Sequence, residues 1–262
     1  MVIDSHTHID ELEAYNAYMK KAGNRINKAF VLHWYKDDLE IVAKFVSEHN
    51  NLQLLASVDI GDAESIQKQL ETIEPYFKNK TIIGIKLYPG YQHFYPSDPR
   101  IHPIAELCLK YKKPLVFHSG DVCDPEGRAI LKYANPVHID DVAIQFPDLK
   151  IVIAHFGFPY LSECANVVSK NENVYTDISG TIADELPKKE VLSLYDEYKK
   201  DLKKTFGYFP EIKKKIMFGT DYSGEDAEVD ELGLYIKLVK QLFTSKEQDR
   251  VFGGLAKKLF LE

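Results

Sequence analysis

Cysteine, arginine and long apolar runs are scarce in this chain, and each scarcity narrows what it can be. Its 262 residues hold three cysteines, Cys108, Cys123 and Cys164, far apart and without Cys-x-x-Cys spacing. That pattern reads as reduced cytoplasmic thiols and not as a disulfide framework. Only four arginines are present, and the basic runs Lys203-Lys204 and Lys213-Lys214-Lys215 read as solvated helix faces. With a net charge of −7 and no basic block interleaved with aromatics, the chain has no track for nucleic acid. No apolar stretch approaches the roughly eighteen residues of a membrane span, and no signal-like apolar segment follows Met1. A membrane is therefore not an expected partner.

What the chain does have is a hydrophobic content of 45%, enough at this length for one large core. Short apolar runs recur at residues 2–5, 29–33, 54–59, 82–87, 114–118, 151–155, 174–177 and 216–221. Segments of helical period separate them, at 37–49, 63–77, 103–111, 140–146 and 159–169. Eight buried strands alternating with helices predict parallel βαβ units closed into a single (β/α)8 TIM barrel of the α/β class, one domain over residues 1–262. The widest gap, 185–215, predicts an extra helical hairpin broken around Phe206-Gly207-Tyr208-Phe209-Pro210. Segments 227–242 and 246–260 are then the closing helices.

The residues that end the strands carry the chemistry. In a barrel of this type the active site forms at the C-terminal ends of the strands. Strand one ends in His6 and His8, strand five in His118, strand six in His155 and strand eight in Asp221. His6 and His8 are two apart, so in a strand they share a face. Buried apolar strands have little reason to finish in histidine, and the four histidines and one aspartate at these four ends would converge on one pocket. Three imidazole nitrogens and one carboxylate oxygen suit a divalent cation, Zn²⁺ above all, with one position left open for water.

These residues sit inside longer motifs: IDSHTHI, GIKLYPGYQHFYPSDP, PLVFHSG, YANPVHIDDVAIQFPDLKIVIAHFGFPYLSE, NVYTDISG and MFGTDYS. Together, and nearly end to end, they resemble the amidohydrolase superfamily, in the amidohydrolase-related branch that includes aminocarboxymuconate-semialdehyde decarboxylase. The resemblance implies that His6, His8, His118 and Asp221 hold one divalent metal. It also implies that His155 contacts the metal-bound water or substrate and assists proton transfer. Near the C-terminus the chain departs from the branch, with Gly254-Leu255-Ala256 where an Asn-Ala pair is usual.

A metal-activated hydroxide could attack a small amide, ester or lactone, with Asp221 taking the proton. Decarboxylation of a small carboxylic acid on the same site is the alternative. Lys86 on strand four is expected as a substrate-facing or structural cation; the competing reading is a carbamylated lysine bridging two metals. Trp34, Tyr88, Gln92 and Tyr95 are expected to contact a small-molecule substrate, and Asp177 and Ser179 to hydrogen-bond neighbouring strand ends. TatD-like metal-dependent deoxyribonucleases also open with Asp-Ser-His-x-His, but they place a glutamate in strand four where this chain has Ile85-Lys86-Leu87. A homodimer is the expected assembly, from the resemblance alone.

Overall fold

The computed structural model describes residues 1–124, 127–182, 186–224 and 229–262. Eight parallel strands run in the order β1 to β8: Ile3–Thr7, Lys28–Leu32, Leu52–Ser57, Ile82–Leu87, Leu115–Phe117, Ile151–Ile153, Val174–Asp177 and Ile216–Met217. The sheet closes on itself. Ser5 N–H donates to the Phe218 carbonyl, Asp221 N–H to that of His6, and His8 N–H to that of Tyr222. The (β/α)8 barrel expected from the spacing is therefore the fold.

Among the described residues eight longer helices cover the strands, α1 Leu12–Ala22, α2 Leu39–Ser47, α3 Ala63–Lys78, α4 His102–Tyr111, α5 Ile139–Gln145, α6 Leu161–Lys170, α7 Lys188–Tyr208 and α8 Glu231–Leu242, and a short α9, Ser245–Asp249, opens the closing segment. Local chemistry starts several of them. The Asp38 carboxylate accepts from Glu40 N–H and Ile41 N–H at the head of α2, and Asp62 from Ser65 N–H at the head of α3, each satisfying amides the helix cannot. Helix α1 is unmarked by apolar periodicity, because its buried stripe is Ala14, Tyr18 and Ala22 in place of large aliphatics.

The expected hairpin over 185–215 is corrected: α7 is one continuous 21-residue helix, followed by a 3₁₀ segment Pro210–Lys215. The break does fall at Phe209-Pro210, where proline cannot continue the α ladder. Glu185 and Ala227, the expected first residues of two segments, lie outside the described residues. No described helix is long and apolar enough to cross a membrane.

Burial separates two cores. The larger lies between the strands and the helix layer. The smaller fills the barrel itself, where Ile3, Phe30, Ile83, Val116, Val152 and Met217 meet the closing segment through Leu255, Leu259 and Phe260. Phe30 and Phe260 rings stand 5.2 Å apart, and Gly84 leaves just enough space: a Cβ there would lie 3.3 Å from Phe260 Cε1. The opposite end of the barrel is polar, and there the site forms.

Candidate metal centre

Strand β1 delivers His6 and His8, and the chain leaving β8 delivers Asp221. His6 Nε2 and His8 Nε2 each lie 3.2 Å from Asp221 Oδ1, and these three ligand atoms lie within 4.8 Å of one another. The protons around them can be placed. The Asp177 carboxylate at the end of β7 accepts from Ser179 Oγ–H, Ser179 N–H and His155 N–H on Oδ1. Its Oδ2 lies 3.1 Å from His6 Nδ1. Burial alone would raise the Asp177 carboxyl, but the His6 and His155 imidazoles and the Ser179 hydroxyl hold it below the usual carboxylate range. An ionised Asp177 can only accept, so His6 carries its proton on Nδ1 and turns a bare Nε2 toward Asp221.

Asp221 is held well below the ordinary value although burial opposes it, because the His155, His6 and His8 imidazoles face it. Its Oδ1 is buried without a well-directed hydrogen-bond donor. A lone pair on His6 thus confronts a lone pair on Asp221 at 3.2 Å. Two acceptors at that distance require a cation near both, and the described residues offer one ammonium there, Lys86 Nζ at 3.3 Å from His6 Nε2. Lys86 is fully buried on β4, and burial pulls its pKa down to about 8, against the attraction of Asp221 and Asp177. Lys86 reaches His6 from one side only, and the ligand atoms of His6, His8 and Asp221, within 4.8 Å of one another, fit a divalent metal.

His155 and His118 adjoin this cluster. His155 Nδ1 lies 3.0 Å from Ser179 Oγ, and since that hydroxyl's proton is committed to Asp177, His155 donates and its Nε2 is bare. His118 Nε2 lies 2.8 Å from the Asp121 carbonyl, which only accepts, so its Nδ1 is bare as well. The two bare nitrogens face each other at 3.2 Å. Burial pushes the His155 pKa down to about 3 and that of His118 well below its ordinary range, leaving both neutral at pH 7. His118 is joined to the His6–His8–Asp221 group through His155, whose ring centroid is 4.6 Å from that of His6 and 4.9 Å from that of His118.

Strain concentrates in the same place. His155 (φ 60°) and Asp221 (φ 69°) both occupy the left-handed region, which costs a non-glycine residue about 1–3 kcal/mol. Gly180 (φ 74°) packs between them: a Cβ there would collide with His155 Nδ1 and stand 2.9 Å from Asp221 Oδ2. Asp4 ties the layer beneath. It accepts from Thr220 N–H, Thr220 Oγ1–H and Tyr18 O–H, and so joins β1, the chain after β8 and α1.

Above the cluster opens a cavity of about 720 Å³ lined by His8, Lys86, His118, His155 and Asp221. One wall is aromatic. Trp34 stands 4.7 Å from both Tyr35 and Tyr88 and 5.3 Å from Tyr91, whose ring reaches His118 at 5.0 Å. Lys36, His93 and Arg128 line the mouth with Asp10 and Asp124. Of the expected substrate contacts, Trp34, Lys86 and Tyr88 line this cavity. Gln92 and Tyr95 are placed elsewhere: Gln92 Nε2 donates to the Val58 carbonyl and Asp59, and Tyr95 packs on Tyr133 and His138. Tyr35, Tyr91 and Gly180 escaped the sequence reading. Only an aromatic run at Trp34-Tyr35 and the spacing of Tyr88 and Tyr91 carry any signal for the first two.

A model of the family described as Amidohydrolase matches residues 3–261. No curated protein sequence matches the chain. Among solved structures it is similar to an Acinetobacter baumannii protein assigned as a probable 2-pyrone-4,6-dicarboxylic acid hydrolase with citric acid bound (14% identity, 100% of this chain and 99% of that one, TM-score 0.69). It is also similar to a zinc-bound amidohydrolase from Burkholderia multivorans (12%, 100% and 99%, TM-score 0.68). A third is 5-carboxyvanillate decarboxylase from Sphingomonas paucimobilis (14%, 94% and 82%, TM-score 0.62).

Proposed function

The chain belongs to the amidohydrolase family, and on that premise we propose that it is a metal-dependent hydrolase of a small planar ester, lactone or amide bearing a carboxylate. The observation that carries this is the lone-pair confrontation of His6 Nε2 and Asp221 Oδ1 at 3.2 Å, beneath a cavity of metabolite size. His6, His8, Asp221 and His118, through its bare Nδ1, would hold one divalent ion, with Zn²⁺ favoured by the nitrogen-rich set. Such an ion, when bound, lowers the pKa of a water ligand from 15.7 toward about 7.

The protein's own groups do the remaining work. Asp221, kept ionised, takes a proton at Oδ2, which lies 3.8 Å from His155 Nδ1. His155, neutral and bare at Nε2, accepts a proton there, its one N–H at Nδ1 being held by Ser179. The aromatic wall of Trp34, Tyr88 and Tyr91 orients a flat substrate, and Lys86 offers its carboxylate a buried partner.

Decarboxylation is the second reading, favoured by that same pairing of a flat wall with Lys86, and the decarboxylase among the similar structures agrees with it. With a net charge of −7 and no dense basic block in the sequence, DNA is not the substrate we propose. We place the protein in the cytoplasm, where the buried thiols Cys108 and Cys164, which form no disulfide, stay reduced.

The test combines elemental analysis with an assay of aryl lactones and esters carrying a carboxylate. Close to one Zn²⁺ per chain and chelator-sensitive acid release support the proposal. Release of CO₂ without hydrolysis moves it to the second reading. No metal after reconstitution, or chelator-sensitive DNA cleavage lost in His6→Ala, defeats it. A ratio near two would mean that the bare His118–His155 pair, or a carbamylated Lys86, holds another ion.

A further inference from the structure

The barrel end opposite the metal centre carries a second cavity, of about 680 Å³, which shares no described lining residue with the first. Lys112 and Lys113 line it just before β5, Leu149 and Lys150 just before β6, and Leu259 from the closing segment. Its floor is apolar. Cys108, Leu149 and Leu259 are buried there, and Leu109 and Tyr175 are half-buried, with Tyr175 packed on the core that fills the barrel. A concave apolar surface of this volume holds a metabolite-sized body.

The rim is cationic. Lys112, Lys113, Lys150 and Lys258 line it against Asp148 and Glu262, in a chain whose net charge is −7. Lys113 Nζ donates to the Phe260 carbonyl at 3.1 Å, and Glu262 is taken by Lys257 Nζ at 2.9 Å. The ammonium groups of Lys112, Lys150 and Lys258 have neither an ion pair nor a hydrogen bond among the described residues. On α3 and α7, by contrast, Lys68, Lys199 and Lys200 each find a carboxylate of their own helix. Lys112 stands at the rim under strain, since it closes α4 in the left-handed region (φ 54°), where glycine would fit freely.

We infer that this cavity binds an amphipathic carboxylate, a flat or short-chain apolar body with one anionic head, the body resting on Leu109, Leu149 and Tyr175 and the head among Lys112, Lys150 and Lys258. An uncharged apolar molecule would leave the three ammonium groups unmatched, and a small inorganic anion would leave the floor empty. Burial raises the Cys108 thiol pKa, so the floor offers no ready nucleophile and the ligand is held without being transformed. Because Leu259 belongs to the core that fills the barrel, a ligand seated on it stabilises the folded chain by linkage.

Fluorescence titration of the full chain with two probes tests this: anilinonaphthalene sulfonate, an aromatic body with one anionic head, and phenylnaphthylamine, the same body without charge. The anionic probe should bind saturably, one per chain, be displaced by naphthoate and raise the thermal midpoint, and the uncharged probe should bind about tenfold more weakly or worse. The joint exchange Lys150→Glu with Lys258→Glu should weaken the anionic probe about tenfold or more. Lys112→Gly, which relieves the backbone while removing a cation, should stay folded by circular dichroism and still weaken binding about threefold. Lys36→Glu, at the mouth of the metal cavity, should change nothing. Absence of saturable binding, equal affinity for both probes or indifference to the rim exchange overturns the proposal, and so does binding that Lys36→Glu abolishes.

Discussion

The two ends of the barrel are made of the same eight strands and obey different physics. At the N-terminal end Phe30, Ile83, Val116 and Met217 close around Leu259 and Phe260, and what matters is volume. At the C-terminal end His6, His155 and Asp177 are buried and Asp221 is half-buried, and what matters is direction: which nitrogen carries the proton and which lone pair faces which. Apolar burial stabilises whatever fits, whereas the polar end holds acceptors against acceptors and His155, Phe156 and Asp221 in the left-handed region. The closed, close-packed end supplies the rigidity on which the strained end depends.

Three perturbations probe that contrast, from the strongest. Asp221→Asn replaces an ionised acceptor with a neutral amide at the point where His6 and His8 converge. Metal content should fall well below one per chain, and turnover of any substrate found should drop by about 10³-fold or more. Thermal unfolding should move little. A variant that keeps its metal and a tenth of its activity would show that direction matters less at this end than the geometry implies.

Next, Phe260→Ala at the other end should cost about 3–5 kcal/mol in urea unfolding through the cavity it leaves. Metal stoichiometry of the folded fraction should be unchanged. Loss of metal from chains that are still folded would mean the two ends are not separable.

The smallest effect is a pH slope. Burial lowers the folded His155 pKa from 6.5 to about 3, so between those values the unfolded chain binds the extra proton. Stability is then fully present above 6.5 and is lost as pH falls, by about 1.4 kcal/mol per pH unit for this one group. Unfolding of metal-stripped protein below pH 6.5 should include that contribution, and His155→Gln should lower the total slope by about 1.4 kcal/mol per pH unit, leaving the parts set by His6, His118 and Asp4. An unchanged slope would assign the proton to other groups.

The two ends also differ in how legible they were. Strand count, order and the convergence of His6, His8, His118, His155 and Asp221 on one mouth follow from short apolar runs with polar last residues, a local pattern. The cavity wall does not follow, because Tyr95 and Tyr91 are equally aromatic in sequence and only the path of the loop after β4 decides which one reaches His118. Gly180 was silent for another reason: its value lies in the absence of a Cβ between His155 and Asp221, and a missing atom leaves no periodicity. Helix α1 was silent because alanine and tyrosine make a weak stripe. Helix α7 appeared as a hairpin because Pro210 marks a break in the α ladder, and a break alone does not distinguish a second helix from the short 3₁₀ segment that stands there.

The seam between the first and last strands has a consequence for how the molecule comes into being. Asp4 and Thr220, 216 positions apart, are bonded across that seam directly beneath the ligands. During synthesis the two halves of the metal centre are therefore made far apart in time: His8 emerges 213 positions before Asp221. Closing a loop of that length has a large entropic cost before any contact rewards it, and contacts so distant in sequence form late. Metal capture should then be among the final events of folding, a seal on a finished barrel and not a nucleus for it. A ribosome-bound chain stalled before residue 216 should bind the ion no better than an unfolded polypeptide does.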